Sequence, residues 1–255
     1  MIDPNHESAA QFLLAARKRG TPGPRIPAEF RPADIDDALA IQSRVTELVA
    51  QPVGGYKCSV PSGPRPVSVA PIFTSTITHG PLCPVLGVGA TARIEPEIAF
   101  VMGRDLPARA TPYGESEIRD AIKEARLVLE ILGPRYTEPG TVTFPELLAD
   151  GLANQGLLLG PALGDPWKNN LEAFPLTIET GTGVLTTYEG KHADGHPLRP
   201  LYWLANYLAS GSTPLRMGMI VTTGSYCGAV DVPLGTPLTF GFGDLGTLSA
   251  TLTRA

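Results

Sequence analysis

Two hydrophobic rhythms divide the chain. Over the first fifty residues apolar positions recur every three to four residues, the spacing of one helix face. Ala9, Phe12, Leu13 and Ala16 form such a stripe within Ser8 to Arg19, and Gly20 with the TPGP run ends it. Ile35, Leu39, Ile41, Val45, Leu48 and Val49 form a second stripe over Ala33 to Gln51. Asp34, Asp36 and Asp37 suit the positive end of its dipole, and Pro52 stops it.

Beyond Pro52 short apolar runs alternate with Gly, Pro and Asp turns, which reads as strands. The runs are Tyr56 to Val60, Ala92 to Met102, Leu127 to Leu132, Gly156 to Leu159, Leu176 to Ile178, Val184 to Tyr188, Ile220 to Thr223, Pro237 to Phe240 and Thr247 to Leu252. Two helices are expected among them, Glu115 to Ala125 and Pro200 to Ser210. The pattern predicts an α+β fold, with a helical N-terminal region (1–75) followed by a mainly β domain (76–255). No repeat, low-complexity tract or long linker interrupts it.

Composition narrows the function classes. Hydrophobic residues make up 43% and charged residues 18% of 255, which is a globular balance able to bury a real core. The net charge of −5 comes without any basic run, so a nucleic-acid or anionic-membrane partner has no electrostatic footprint. Cys58, Cys83 and Cys227 are widely spaced and odd in number, which reads as free thiols in a reducing cytoplasm. MIDPNHESAAQ has no basic segment leading into an apolar one, so no signal peptide is expected. No window approaches the roughly 18 apolar residues of a membrane span.

Four places carry candidate chemistry. In RIEPEIAFVMGRDLP, Glu95 and Glu97 lie two apart in a strand-like run and share a face. Ile94, Ile98 and Phe100 place that strand in a core, where two like carboxylates repel each other and lose hydration. A hard cation such as Mg²⁺ or Mn²⁺ resolves this; a solvent-facing pair on an edge strand resolves it equally well. Pro96 has no ladder donor and points to an edge or a bulge. Glu130 sits within Leu127, Val128, Leu129, Ile131 and Leu132, so it needs either a metal or an ion-pair partner, for which Arg135 is near in sequence. Lys57 follows a glycine turn and reads either as a solvated edge charge or as a pocket lysine for acid–base work. In VTTGSYCG, residues 221–228, hydroxyls and glycines form either an ordinary turn or a donor set for a carboxylate.

Other signals fail on context. Residues 241–246 match GxGxxG, but only nine residues follow, so no dinucleotide-binding unit fits. His192 and His196 are four apart, yet Gly195 and Pro197 oppose the helix that a zinc pair needs. There is no GxSxG and no phosphate loop.

Taken in order, the blocks GYK (55–57), EPEIAFVMGRDLP (95–107), LEI (129–131), GLLLG (156–160), GHPLRPLYWLAN (195–206), VTTGSYCGAV (221–230) and FGDLGTLSATL (242–252) resemble one family. It is the 2-keto-4-pentenoate hydratase / 4-oxalocrotonate decarboxylase group of the fumarylacetoacetate hydrolase superfamily, and the resemblance covers nearly the whole chain from residue 34. It implies a helical N-terminal region plus a β-rich roll, assembly into a homo-oligomer, and a 2-oxo acid as substrate. It implies that Glu95, Glu97 and Glu130 hold Mg²⁺ or Mn²⁺, that Lys57 is the pocket lysine, and that Thr223 and Ser225 lie in the substrate-proximal turn. Hydration of a 2-oxo-dienoate is the expected reaction. The runners-up are decarboxylation of a 2-oxo-enedioate, C–C hydrolysis of an acylpyruvate, or a non-catalytic binding role. Two segments depart from the family. APIFTSTITHG (70–80) lacks the acid of a P-D-Y-G-like segment, and DGLANQG (150–156) stands where D-N-A-S-S-G is common.

Overall fold

Asp3 and Asp34 cap the first two helices, accepting the backbone N–H groups of Asn5 at 2.7 Å and Asp37 at 2.9 Å. The computed structural model describes residues 3–63, 65–87, 89–133, 135–165, 167, 170–211 and 213–255. Helices α1 (Pro4–Arg19) and α2 (Ile35–Val49) are those the apolar stripes predict, within a few residues. Gly20 and Ala50 end them in left-handed backbone, at φ 70° and 53°. Helices α3 (Glu115–Arg119), α4 (Phe144–Ala149) and α5 (Leu198–Ala209) follow. None of these helices is long and apolar enough to cross a membrane.

The strands are β1 (Val53–Cys58), β2 (Val69–Phe73), β3 (Ile77–His79), β4 (Leu82–Val85), β5 (Thr91–Met102), β6 (Ile122–Leu132), β7 (Asn154–Ala162), β8 (Ala173–Thr180), β9 (Gly183–Lys191), β10 (Ile220–Thr222), β11 (Val230–Pro233), β12 (Pro237–Phe242) and β13 (Thr247–Arg254). One sheet runs β2-β1-β10-β5-β6-β7-β3, with β11 also paired to β5; a second runs β4-β13-β12-β8-β9. The mixed α and β character read from the pattern holds. Strands β1 and β2, which precede residue 76, belong to the same sheet as β5 and β6.

Alternation along β5 and β6 explains the layering. Ile94, Ile98 and Phe100 share a core with Leu127 and Leu129 of β6 and with Phe240, Phe242 and Leu252 of the second sheet. Burying such side chains contributes about 1.5–3 kcal/mol each. A separate apolar cluster joins α1, α2 and α4 through Leu13, Ile41, Val45 and Leu148.

Two expectations need correction, and helix α4 and strands β2, β3, β4 and β11 lie outside the expected set. The helix expected over Glu115 to Ala125 stops at Arg119, because Ile122 to Ala125 pair with Met102 to Phe100 and the ladder overrides the local pattern. Pro96 lies on a central strand, not at an edge or a pairing bulge. Beside it the neighbouring strand is interrupted: β11 pairs with Thr91 to Ile94 and β10 with Ala99 to Val101. The loop between them offers the Tyr226 N–H to the Pro96 carbonyl at 3.3 Å, so the missing proline donor faces no ladder partner. Helix α4 went unread, although Thr143 and Glu146 form the reciprocal hydrogen bonds of a capping box and Pro145 stands in its first turn.

Candidate functional site

The β5–β6 register sets Glu95 directly opposite Glu130. Facing residues in an antiparallel pair have Cβ atoms about 4.5–5.5 Å apart. Glu97 is two residues along β5 and so projects to the same side. Carboxylate oxygens of all three lie within 4.8 Å of one another, and this is the only such cluster of three potential metal ligands among the described residues. Glu97 and Glu130 are 1% and 0% exposed.

Lys57 comes from two strands away. It pairs in register with Thr222 of β10, and Thr222 pairs with Ala99 of β5, so the row lies on the carboxylate face. Its Nζ reaches Oε1 of Glu130 at 2.6 Å and donates to the Leu152 carbonyl at 3.4 Å. Gly55 permits the approach of β1 to β10, since a Cβ there would stand 1.9 Å from the Ile220 carbonyl oxygen. The partner of Glu130 is therefore Lys57. Arg135 instead pairs with Asp150 and donates to the Asn154 carbonyl.

The electrostatics are unbalanced as they stand. Two unit charges 4.8 Å apart repel by about 3.5 kcal/mol at an effective dielectric of about 20. Three carboxylates and one ammonium leave two net negative charges, the complement of a divalent cation. Burial, followed by the charges of Glu130 and Glu95, pushes the Glu97 carboxyl up to about 8. Burial also raises Glu95, with Glu130 adding to the rise and Lys57 opposing it. Burial pulls the Lys57 ammonium down, but Glu130, Glu95 and Glu97 outweigh it and the net shift is upward. Oε2 of Glu130 is buried without a hydrogen-bond partner. An oxygen-only donor set with a bare buried carboxylate oxygen fits a hard divalent ion.

The other side of Glu97 is supported by the loop after β10. Oε2 of Glu97 accepts from the Thr222 hydroxyl and, at 2.8 Å, from the Gly224 N–H. Thr223 points elsewhere: its side chain is wholly buried and its hydroxyl donates to the Ile98 carbonyl at 3.3 Å. One residue of register exchanges the two faces of a strand, so Thr222 meets the carboxylates and Thr223 does not. Ser225 does reach the site, with its hydroxyl donating to the carbonyls of Gly228 at 3.0 Å and Pro96 at 3.3 Å.

Lys57, Glu95, Glu97, Glu130 and Ser225 line one cavity of about 380 Å³. Phe144 and Leu147 of α4, with Leu152, supply an apolar wall, and Arg65 and Ser68 add polar groups. The turn before β7 is unusual. Gly151, Leu152 and Ala153 have φ of 79°, 54° and 58°, consecutive left-handed residues of which two carry side chains. Each such non-glycine residue costs on the order of 1–3 kcal/mol and persists only where its surroundings hold it. Here Arg135 and Arg17 hold Asp150, Leu152 N–H bonds the Leu147 carbonyl at 2.7 Å, and Asn154 Nδ2 donates to Oε1 of Glu130 at 2.9 Å. Thr222 lies within the 221–228 motif, and Leu152 and Asn154 within the 150–156 segment, without an individual role in the sequence reading, and Arg65 lies outside every motif. The strongest available signal was the altered segment at 150–156.

No family model matches the chain. The 2-keto-4-pentenoate hydratase of Paraburkholderia xenovorans (strain LB400) is 26% identical over 235 residues, 88% of this chain and 86% of the relative. A 4-oxalocrotonate decarboxylase of Pseudomonas sp is 25% identical over 169 residues, 63% of this chain and 60% of the relative. Among solved structures, 4-oxalocrotonate decarboxylase from Pseudomonas putida G7, complexed with calcium and acetate, superposes with a TM-score of 0.76 at 20% identity, covering 97% of this chain and 96% of that one. The same enzyme is also known complexed with magnesium and adipate. A fumarylacetoacetate hydrolase family protein from yeast shares the fold at a TM-score of 0.55 and 13% identity, over 81% of this chain and 95% of that one. In sequence the chain is similar to 2-keto-4-pentenoate hydratases and a 4-oxalocrotonate decarboxylase, and in fold it is similar to 4-oxalocrotonate decarboxylase and to fumarylacetoacetate hydrolase family proteins.

Proposed function

We propose that the chain is a divalent-metal-dependent hydro-lyase that adds water to a 2-oxo-dienoate of the 2-keto-4-pentenoate type, in the breakdown of aromatic compounds. The observation that carries the reading is the pairing of Lys57 with Glu130 inside a triad of carboxylates, two buried and one half-buried, that lines one cavity. Relatives named hydratase match over most of the chain and support this reading, whereas one named decarboxylase matches over 63% of it and bears on the second reading below. Glu95, Glu97 and Glu130 would hold Mg²⁺ or Mn²⁺. When bound, the cation supplies Lewis acidity to the adjacent carboxylate and carbonyl oxygens of a 2-oxo acid.

The chain's own residues do the rest. Lys57 keeps a proton at Nζ, because the carboxylates around it favour its charged form. It can place that charge, or give the proton, where negative charge develops on the substrate. Phe144, Leu147 and Leu152 keep bulk water from the carbon chain, and the Ser225 hydroxyl offers an orienting contact. Thr223 acts at one remove, by fixing the chain between Thr222 at the end of β10 and Gly224 in the loop after it. The protein is expected to work in the cytoplasm as a homo-oligomer, on a small molecule.

Arg65 favours one second reading. It lines the same cavity as the carboxylates and would accept a distal carboxylate, as found in a 2-oxo-enedioate undergoing decarboxylation. An ultraviolet assay with Mg²⁺ or Mn²⁺ on 2-hydroxypenta-2,4-dienoate and on oxalocrotonate separates the two. Metal-dependent loss of the dienoate absorbance supports the hydratase. Turnover of oxalocrotonate alone, weakened by Arg65→Met, supports the decarboxylase. Turnover of neither, nor of acylpyruvates, removes the enzymatic reading.

A further inference from the structure

Glu130 has two unlike oxygens. Oε1 accepts Lys57 Nζ at 2.6 Å and Asn154 Nδ2 at 2.9 Å, whereas Oε2 is buried with no partner. A carboxylate so held cannot rotate without giving up two hydrogen bonds in a water-poor site. Asn154 is itself immobilised. It is 3% exposed, its carbonyl accepts from Arg135, and Arg135 is locked by the buried Asp150. Asp150 opens the left-handed run Gly151, Leu152 and Ala153, and that run delivers Asn154 to the start of β7. Two adjacent non-glycine residues in this conformation are expensive for an ordinary connection, so the turn serves its geometry.

We propose that Asn154 is a positioning residue for the metal centre: it pins Oε1 of Glu130 beside Lys57, so that Oε2 alone is presented to the cation. The Arg135–Asp150 pair and the left-handed turn are the brace that holds Asn154 there. The proposal rests on the metal-dependent reading of the Glu95, Glu97 and Glu130 cluster. It also assigns a task to the segment 150–156, one of the two places where the sequence departs from its family.

Calorimetric titration with Mn²⁺, together with the electron paramagnetic resonance spectrum of the bound ion, tests it on the full chain. Asn154→Leu keeps the volume and removes the donor; Asn154→Ala is the second variant, should the first disturb packing. Outer hydrogen-bond partners of metal ligands typically change affinity 10- to 100-fold, so the Mn²⁺ dissociation constant should rise by about that factor. The Mn²⁺ spectrum should also change, since a freed Glu130 can offer both oxygens. Phe240→Leu, in the core between the sheets, should lower the melting temperature with neither effect. Wild-type protein that binds no Mn²⁺ would overturn the metal reading and this inference together. Wild-type binding with folded Asn154 variants of unchanged affinity and spectrum would overturn the role of Asn154 alone, leaving the metal reading in place.

Discussion

Lys57 Nζ stands 2.6 Å from Oε1 of Glu130, although the two residues lie on strands separated by β10 and β5. An ammonium this close to a carboxylate proposed to hold a metal has two opposed effects. It offsets the negative charge of the carboxylates, and it would repel a cation bound beside them. Lys57→Met should therefore split the two readouts. Turnover should fall by about 10² to 10⁴, the usual contribution of a positioned acid or base. Mn²⁺ affinity measured by calorimetry should hold or tighten. Parallel loss of both would mean that Lys57 serves only to keep the site folded.

The pH dependence of the metal-free protein follows from Glu97. Its carboxyl titrates near 4.5 in the unfolded chain and is pushed up to about 8 in the folded one by burial and by Glu130 and Glu95. The folded state holds that proton more tightly, so this group's stabilising contribution is complete below pH 4.5 and is lost as pH rises through about 8. In chelator the melting temperature should fall across this window. Mg²⁺ should restore it most at the alkaline end, and binding at neutral pH should release a proton. Glu97→Gln should flatten the slope and weaken Mn²⁺ binding strongly while the fold persists. Thermal scans with chelator or Mg²⁺, and titrations in two buffers, measure all three effects.

His192 makes the opposite prediction. It is 1% exposed, and burial lowers its pKa below the ordinary 6.5. Its Nδ1 accepts the Asp194 N–H at 3.1 Å, which leaves the neutral ring's proton on the buried Nε2. The unfolded chain takes up a proton first as pH drops, so the contribution present above 6.5 fades as pH falls through the lower, folded value. As pH falls below 6.5, stability should decline more steeply in wild type than in His192→Gln. Equal slopes would show that the ring is free to titrate.

Gly55 offers a steric test. A methyl group there meets the Ile220 carbonyl at 1.9 Å, which forces β1 from β10 and carries Lys57 with it. Gly55→Ala should destabilise by about 1–3 kcal/mol in urea titrations, as overpacking does. It should also lower turnover beyond the loss of folded protein.

Much of this was legible before any fold existed. The helical stripes located α1 and α2, because burying one face leaves a period in the sequence whatever that face meets. Alternation around Ile94, Glu95, Glu97 and Ile98 put two carboxylates on one face of a core strand, since side-chain direction in a strand depends only on parity. Glu130 announced itself by its apolar neighbours. Helix α4 was legible too, through the Thr143 and Glu146 capping signal, and was missed because the segment is short and follows proline and glycine.

What the sequence by itself determined was part of the inventory: the two N-terminal helices, the long core runs that become β5 and β6, a glutamate in an apolar run at 130, and which family the ordered motifs resemble. What only the tertiary structure decided was adjacency. The register of β5 on β6 set Glu95 against Glu130, and the parallel pairing of β1 with β10 brought Lys57, not Arg135, to Glu130. It also chose Thr222 over Thr223 and placed Asn154 at the carboxylate. Such choices depend on long-range strand pairing, where a shift of one residue reverses a face. No local pattern in a single chain encodes that shift, so the opening pair of the site, Lys57 and Glu130, exists only in the folded protein.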